Sequence, residues 1–286
     1  MAVIDTKSTL LNVTEHSRDS AGMTYVYPVV SRRAGGVSIG INLNPNNACN
    51  WHCIYCQVPD LKRGGPPPLE VALLREELSS LLHDIQQGDF MQKRVPETSR
   101  RLMDVAFSGN GEPTSAPEFP QAVSVVIDVL QVSGLIGTLP VRLITNGSLL
   151  DREAVRQGVA NLATAGGEVW FKLDAARADD ILEINGSKVL PEQQLQRLEA
   201  CAALCSTWVQ SCFFMRDGQE PSEESVLAYL QAIDRVAGHI RGVHLYGLAR
   251  QSMQPEAIRL SALPLSWFEA LALRLQEKGL TVTVSP

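Results

Sequence analysis

Three cysteines stand at C-x3-C-x2-C spacing within Cys49-Asn50-Trp51-His52-Cys53-Ile54-Tyr55-Cys56. Thiolates are soft ligands, and three in so short a loop can converge on one small object while the backbone folds round it. An iron–sulfur cube is such an object, because cysteine thiolates are its usual protein ligands. Four iron corners against three cysteines leave one iron open to an exogenous ligand, the logic by which catalytic metal sites keep an open position. Zinc is a competing reading: a structural zinc wants four ligands, and His52 offers the fourth. His52 adjoins Cys53, however, so the two side chains tend to point apart, and zinc modules normally bring a second ligand pair downstream. A third reading, three packed core cysteines, conflicts with the polar, Asn-rich setting of the loop.

A strand must present such a loop, and the apolar run 37–43 directly precedes it. Beyond the loop the pattern alternates. Strands are predicted at 104–108, 141–145, 168–174, 207–214 and 242–246, with a last strand at 280–284. Helices are predicted at 69–85, 149–162, 194–204, 222–236 and 265–278, and another through Val123, Val126, Ile127, Val129 and Leu130. Residues 24–30 read as an edge strand, since Pro28 cannot donate to a ladder. Pro66-Pro67-Pro68 reads as a stiff connector, 86–101 as a polar insertion, and 175–190 as a long loop. Strand–helix alternation implies a parallel sheet with helical crossovers. Six units are too few for an eight-stranded barrel. The expected fold is therefore α/β, an open partial (β/α)6 barrel with outer helices. The expected organisation is an N-terminal extension, 1–36, followed by the barrel with a C-terminal helix and strand, 37–286.

Length and composition agree with one α/β unit: 286 residues, 45% of them apolar. The net charge of −6 and pI near 5.4 argue against nonspecific nucleic-acid binding, which relies on Lys and Arg. The basic pairs Arg32-Arg33, Lys62-Arg63 and Arg100-Arg101 read as solvated surface. No run approaches about 18 apolar residues, so no membrane span is expected. The first residues lack a basic segment followed by an apolar one, so no signal peptide is expected. With six cysteines, metal binding or catalysis in a reducing cytoplasm is the expectation rather than disulfides. Cys201 and Cys205 lie one helical turn apart among alanines. With Cys212 they read as core rather than as a second cluster.

The cysteine octet, with Tyr55 just before the third cysteine, resembles the cluster loop of the radical S-adenosylmethionine (radical SAM) enzymes. That resemblance covers roughly 37–250. It implies a [4Fe-4S] cluster held by Cys49, Cys53 and Cys56, and SAM chelating the open iron through its methionine end. One electron then yields a 5′-deoxyadenosyl radical that abstracts hydrogen from a substrate. Gly109-Asn110-Gly111-Glu112-Pro113 resembles the family's glycine-rich Glu-Pro loop, which receives the methionine ammonium. The first glycine of the family's pair is Asn110 here. By the same resemblance Tyr55 (backbone, adenine side), Asn110, Gly111, Glu112, Asn146, Lys172 and Asp174 are the expected SAM contacts. Lys172 and Asp174 reach the carboxylate or ribose. Leu173-Asp174-Ala175, followed by Ile184-Asn185, resembles a subgroup containing the wyosine-type tRNA-modifying enzymes and uncharacterised relatives. An electron donor such as flavodoxin or ferredoxin is implied, with tRNA, a protein or a small molecule as substrate. Two alternatives stay open at this point: a zinc-stabilised binding protein without turnover, and an activator of a glycyl-radical partner enzyme. Tyr246 and Arg250 read as packing and surface.

Overall fold

The computed structural model describes residues 10–11, 22–31 and 35–286. Arg32 and Arg33, and the first residues on which the signal-peptide expectation rests, lie outside the described residues. Eight strands form one sheet in chain order: β1 Val26–Ser31, β2 Gly36–Ile41, β3 Leu102–Phe107, β4 Val141–Thr145, β5 Glu168–Lys172, β6 Ser206–Cys212, β7 Gly242–Tyr246 and β8 Thr281–Ser285. Strands β2 to β8 run parallel, and β1 pairs antiparallel with β2. The helices are α1 Val71–Gln87, α2 Phe119–Val132, α3 Glu153–Thr164, α4 Ala178–Asn185, α5 Pro191–Leu204, α6 Glu223–Val236 and α7 Leu265–Gln276. Strands β1 and β8 end the sheet without pairing to each other, so the barrel stays open. This is the α/β partial barrel that the alternation predicts, with β8 a further parallel strand beyond the six units. Pro28 sits in β1, on the edge, where its missing N–H costs no ladder bond.

Each strand alternates between two unlike faces. Ile39, Ile41, Val105, Phe107, Leu143, Val169, Phe171, Val209, Val243 and Leu245 are buried outward in the main core, beneath helix residues such as Leu78, Val126, Val159 and Ile233. The inner face carries Ser38, Asp104, Arg142, Trp170, Lys172, Gln210, Cys212 and Tyr246, and these line a cavity. A fully closed small barrel fills its interior with side chains. This open one leaves the inner face to a ligand.

Two segments differ from the sequence-based expectation. Residues 86–101 hold a short helix, Phe90–Arg94, and bury Phe90 and Val95, so two apolar anchors fold the insertion onto the core. Residues 175–190 contain α4. Its start carries Asp179 and Asp180, which suit the helix dipole; Ile181 is buried; and Gly186, at φ +59°, stops it in the left-handed conformation. Strand ends also move. β2 stops at Ile41 and β5 at Lys172, each two residues short of the predicted end. Among the described residues no helix is long and apolar enough to cross a membrane.

Candidate functional site

The loop after β2 is closed on itself before anything else holds it. Ala48–Cys49 pairs with Lys62–Arg63, and Gly64 N–H donates to Cys49 O at 3.1 Å. Cys56 N–H donates to Cys53 O at 2.9 Å, making the tight turn that the C-x2-C spacing needs. Three neighbouring segments then clamp it. At the end of α4 the free carbonyls of Ile184 and Asn185 accept from Ile54 N–H (2.9 Å) and His52 N–H (3.0 Å). After β7, Ser252 Oγ donates to Ile54 O (2.7 Å), and Gln254 Nε2 donates to Val58 O (2.8 Å). After β4, Asn146 Nδ2 donates to Asn50 Oδ1 (2.9 Å), and Asn50 Nδ2 donates to Ser148 Oγ (2.7 Å). Arg63 is exposed, as expected, and in addition donates to Asn50 O and Gly186 O, fastening loop and α4 together.

The three cysteines are partly buried and line one cavity of ≈ 960 Å³. Burial pushes the Cys49 thiol up to about 11 and the Cys53 thiol up to about 12, with Glu112 and Asp174 respectively adding to the effect. Bare, these thiols stay protonated at neutral pH; a bound cation inverts that balance and deprotonates a coordinating thiol. The donor set fits an iron–sulfur cube with one open iron: three thiols from one loop, facing a space that holds more than a single ion. Among the described residues no group of three His, Cys, Asp or Glu side chains is placed to hold a single metal ion. His52, the proposed fourth zinc ligand, turns its Nε2 towards Glu256 at 3.9 Å.

Tyr55, Asn110, Gly111, Glu112, Asn146 and Lys172 line the same cavity as the cysteines. Gly111 is where the turn after β3 touches the cysteine loop. A Cβ there would stand 2.1 Å from Ala48 O, so only glycine fits. Asn110, in place of the family's glycine, donates from Nδ2 to Asn47 Oδ1 (2.7 Å) and leaves its own Oδ1 without a partner. Glu112 is 3% exposed, and its carboxylate already accepts four hydrogen bonds. Oε1 takes Thr114 N–H (3.1 Å), Thr114 Oγ1 (2.6 Å) and Thr145 Oγ1 (2.6 Å), while Oε2 takes Asn146 N–H (2.7 Å). Burial nevertheless holds its pKa above the usual carboxylate range, against those hydrogen bonds. Lys172 Nζ bonds to Tyr246 Oη and lies 5.1 Å from the Tyr55 ring centroid. Burial alone would lower its pKa; Asp174 carries it well above the ordinary value.

Asp174, expected as a SAM contact, is 3% exposed and is not among the residues lining the cavity; it stands directly behind two that are, Tyr55 and Lys172. Its carboxylate is a hub for four donors: Tyr55 Oη (2.5 Å), Asn185 Nδ2 (2.8 Å), Cys212 N–H (2.9 Å) and Lys172 Nζ (3.4 Å). Tyr246, read as packing, bonds Lys172 at the cavity wall, and Arg250 lines the cavity too. Deeper inside, Arg142 bridges Asp104 and Glu168, and Gln210 presents a buried Nε2 without a partner. The sequence reading missed Asn185, Ser252, Gln254, Arg142 and Gln210 as site residues. For Asn185 the local signals were the Ile184-Asn185 pair of the subgroup resemblance and the helix stop at Gly186, and neither gave it a role beside the cluster. Cys201 and Cys205 lie in the main core, as expected; Cys212 faces the cavity from the end of β6.

Comparison with known proteins matches residues 43–230 to the radical SAM superfamily. A stretch of 159 residues, 55% of this chain, is 31% identical to a UPF0026 protein of Methanocaldococcus jannaschii and covers 42% of it. Another of 130 residues, 45% of this chain, is 28% identical to 16% of a protein named GTPase Obg in Brachyspira hyodysenteriae. The chain thus spans less than half the length of either curated relative. Among solved structures, a radical SAM methyltransferase from Sphaerobacter thermophilus shares the fold, with a TM-score of 0.61 at 12% identity over 91% of this chain and 68% of that one.

Proposed function

Since the chain belongs to the radical SAM superfamily, whose cofactors are a [4Fe-4S] cluster and SAM, we propose that it is an enzyme that binds SAM against such a cluster and oxidises or modifies a substrate by hydrogen abstraction. One observation carries the reading. The three cysteines, the turn Asn110-Gly111-Glu112, Asn146 and Lys172 all border one cavity. Held there by these residues, the cluster would pass one electron from an external reductant to SAM, whose carbon–sulfur bond would break to give methionine and a 5′-deoxyadenosyl radical.

Cys49, Cys53 and Cys56 are the proposed cluster ligands. Glu112 Oε2 accepts one protein hydrogen bond and keeps a lone pair. With the backbone carbonyls of Asn110 and Gly111 it forms the proposed acceptor set for the methionine ammonium. Lys172 supplies a cation for the methionine carboxylate, the Tyr55 backbone faces the adenine, and Asn146 borders the same space. Asp174 acts on this reading by holding Tyr55 and Lys172 in place rather than by touching SAM. Residues 37–286 are the proposed catalytic unit, with 1–36 as its extension.

A finer reading sets the chain beside the wyosine-type tRNA-modifying enzymes, supported by Leu173-Asp174-Ala175 and Ile184-Asn185. It brings an RNA substrate, with a protein or small molecule as the other outcomes of the test. The proposed reductant is a flavodoxin or ferredoxin in a reducing cytoplasm. The test is anaerobic reconstitution with iron, sulfide and SAM, followed by product analysis of tRNA, protein and small-molecule fractions. The expected result is a brown protein that bleaches on reduction and releases 5′-deoxyadenosine. A colourless zinc protein that leaves SAM intact would refute the proposal.

A further inference from the structure

Asn185 is 2% exposed, and its one side-chain nitrogen serves two acceptors, a carboxylate oxygen and a cysteine sulfur. Nδ2 donates to Asp174 Oδ2 at 2.8 Å and to Cys53 Sγ at 3.4 Å. The orientation of the amide is settled by chemistry. The Asp174 carboxylate accepts from Tyr55, Cys212 and Lys172, so the amide turns its nitrogen to it as a further donor, and the same nitrogen reaches the sulfur. Neither bond is needed to dock α4 on the cysteine loop. The backbone carbonyls of Ile184 and Asn185 do that, through Ile54 N–H and His52 N–H. The side chain is therefore available for another task.

We propose that Asn185 sets the reduction potential of the cluster held through Cys53, by donating a hydrogen bond to that ligand's sulfur. This rests on the cluster reading above. A cluster gains one negative charge on reduction. A donor aimed at a ligating sulfur stabilises the more negative state more, because hydrogen bonds to charged acceptors strengthen with the charge. Asn185 thus raises the potential and makes the cluster easier to reduce. The amide also stands between Cys53 and the Asp174 carboxylate, which would otherwise face the sulfur without a shield. Asp174 bonds Lys172 Nζ on its other oxygen, so Asn185 and Asp174 tie Cys53 to the proposed carboxylate-binding cation through three hydrogen bonds.

The test uses the reconstituted full chain and an equilibrium redox titration of the cluster, read by EPR of its reduced state. Asn185→Leu keeps the size and removes both N–H groups; Asn185→Val removes them with a smaller side chain. Both are expected to hold native iron and to titrate at a more negative potential. An unchanged potential in Asn185→Leu at full iron content would overturn the proposal. A second measurement needs no variant: wild-type protein carrying 15N only in its asparagine side chains, reduced and examined by pulsed EPR. A weak 15N coupling to the cluster is expected, and its absence overturns the proposal even if both variants fail to fold. Wild-type protein that takes up no [4Fe-4S] cluster would overturn the cluster reading itself, and this inference with it.

Discussion

Glu112→Gln exchanges one oxygen for an amide, and the structure says where the damage falls. The sequence motif makes Glu112 an acceptor for an ammonium; the fold makes it, in addition, an acceptor for four protein donors. A glutamine is best placed with its oxygen on the three donors of Oε1. Its NH2 then meets Asn146 N–H, 2.7 Å from the present Oε2, donor against donor. Leaving a buried donor unsatisfied costs about 1–3 kcal/mol. Removal of a desolvated charge, visible in the raised pKa, offsets part of the loss of charge-assisted bonding. The expected net cost is about 2 kcal/mol, a fall in Tm of roughly 4–6 °C for a domain of this size. The assay is thermal unfolding of cofactor-free protein by circular dichroism. In parallel, SAM affinity of the reconstituted variant should fall roughly ten- to a hundredfold, the worth of a hydrogen bond to a charged group. An unchanged Tm would refute the hub reasoning. A lowered Tm with unchanged SAM affinity would leave Glu112 a positioning group and refute its ammonium role.

Cys49→Ala, Cys53→Ala and Cys56→Ala should each abolish the reconstituted cluster and SAM cleavage, measured as iron, sulfide and 5′-deoxyadenosine; a variant retaining all three would remove the ligand assignment. Cys201→Ala combined with Cys205→Ala should keep iron per chain at the native level, because both thiols sit in the apolar core, whereas a halved iron content would mean a second cluster. Gly147→Ala should destabilise the cofactor-free protein by about 2–4 kcal/mol in urea unfolding, since Gly147 has φ +70° and a Cβ would stand 2.1 Å from the Phe171 ring. Ser252→Ala should hasten iron loss to a chelator severalfold and lower the Tm, because Ser252 Oγ bonds the carbonyls of Ile54 and Cys56 at the edge of the loop and accepts from the buried Gln254 N–H; an unchanged rate would show that the backbone clamps suffice.

Local chemistry in this chain is written locally. The C-x3-C-x2-C spacing specifies a three-thiol loop because its geometry lies within eight residues. Strand–helix alternation specifies the open parallel barrel because each element carries its own periodicity, and crossover topology follows from that alternation. Glu112, Asn146 and Lys172 were expected on one rim because they lie at or beyond the ends of strands, and in a parallel barrel every strand delivers its end to one side; all three line the cavity. What the sequence could not contain was partnership across the rim. Asp174 sits two residues from Lys172 and so reads as a cavity residue, yet its carboxylate is taken up by Tyr55, Lys172, Asn185 and Cys212, partners that lie up to 119 residues away along the chain. Ser252 and Gln254 carry no motif, and the Ile184-Asn185 pair points to a subgroup without pointing to the cluster; each of the three matters because a βα loop brings it against the cysteine loop, 132 to 198 residues away along the chain. Such contacts depend on the curl of the sheet, which sums the twist of all its strands and belongs to no one segment.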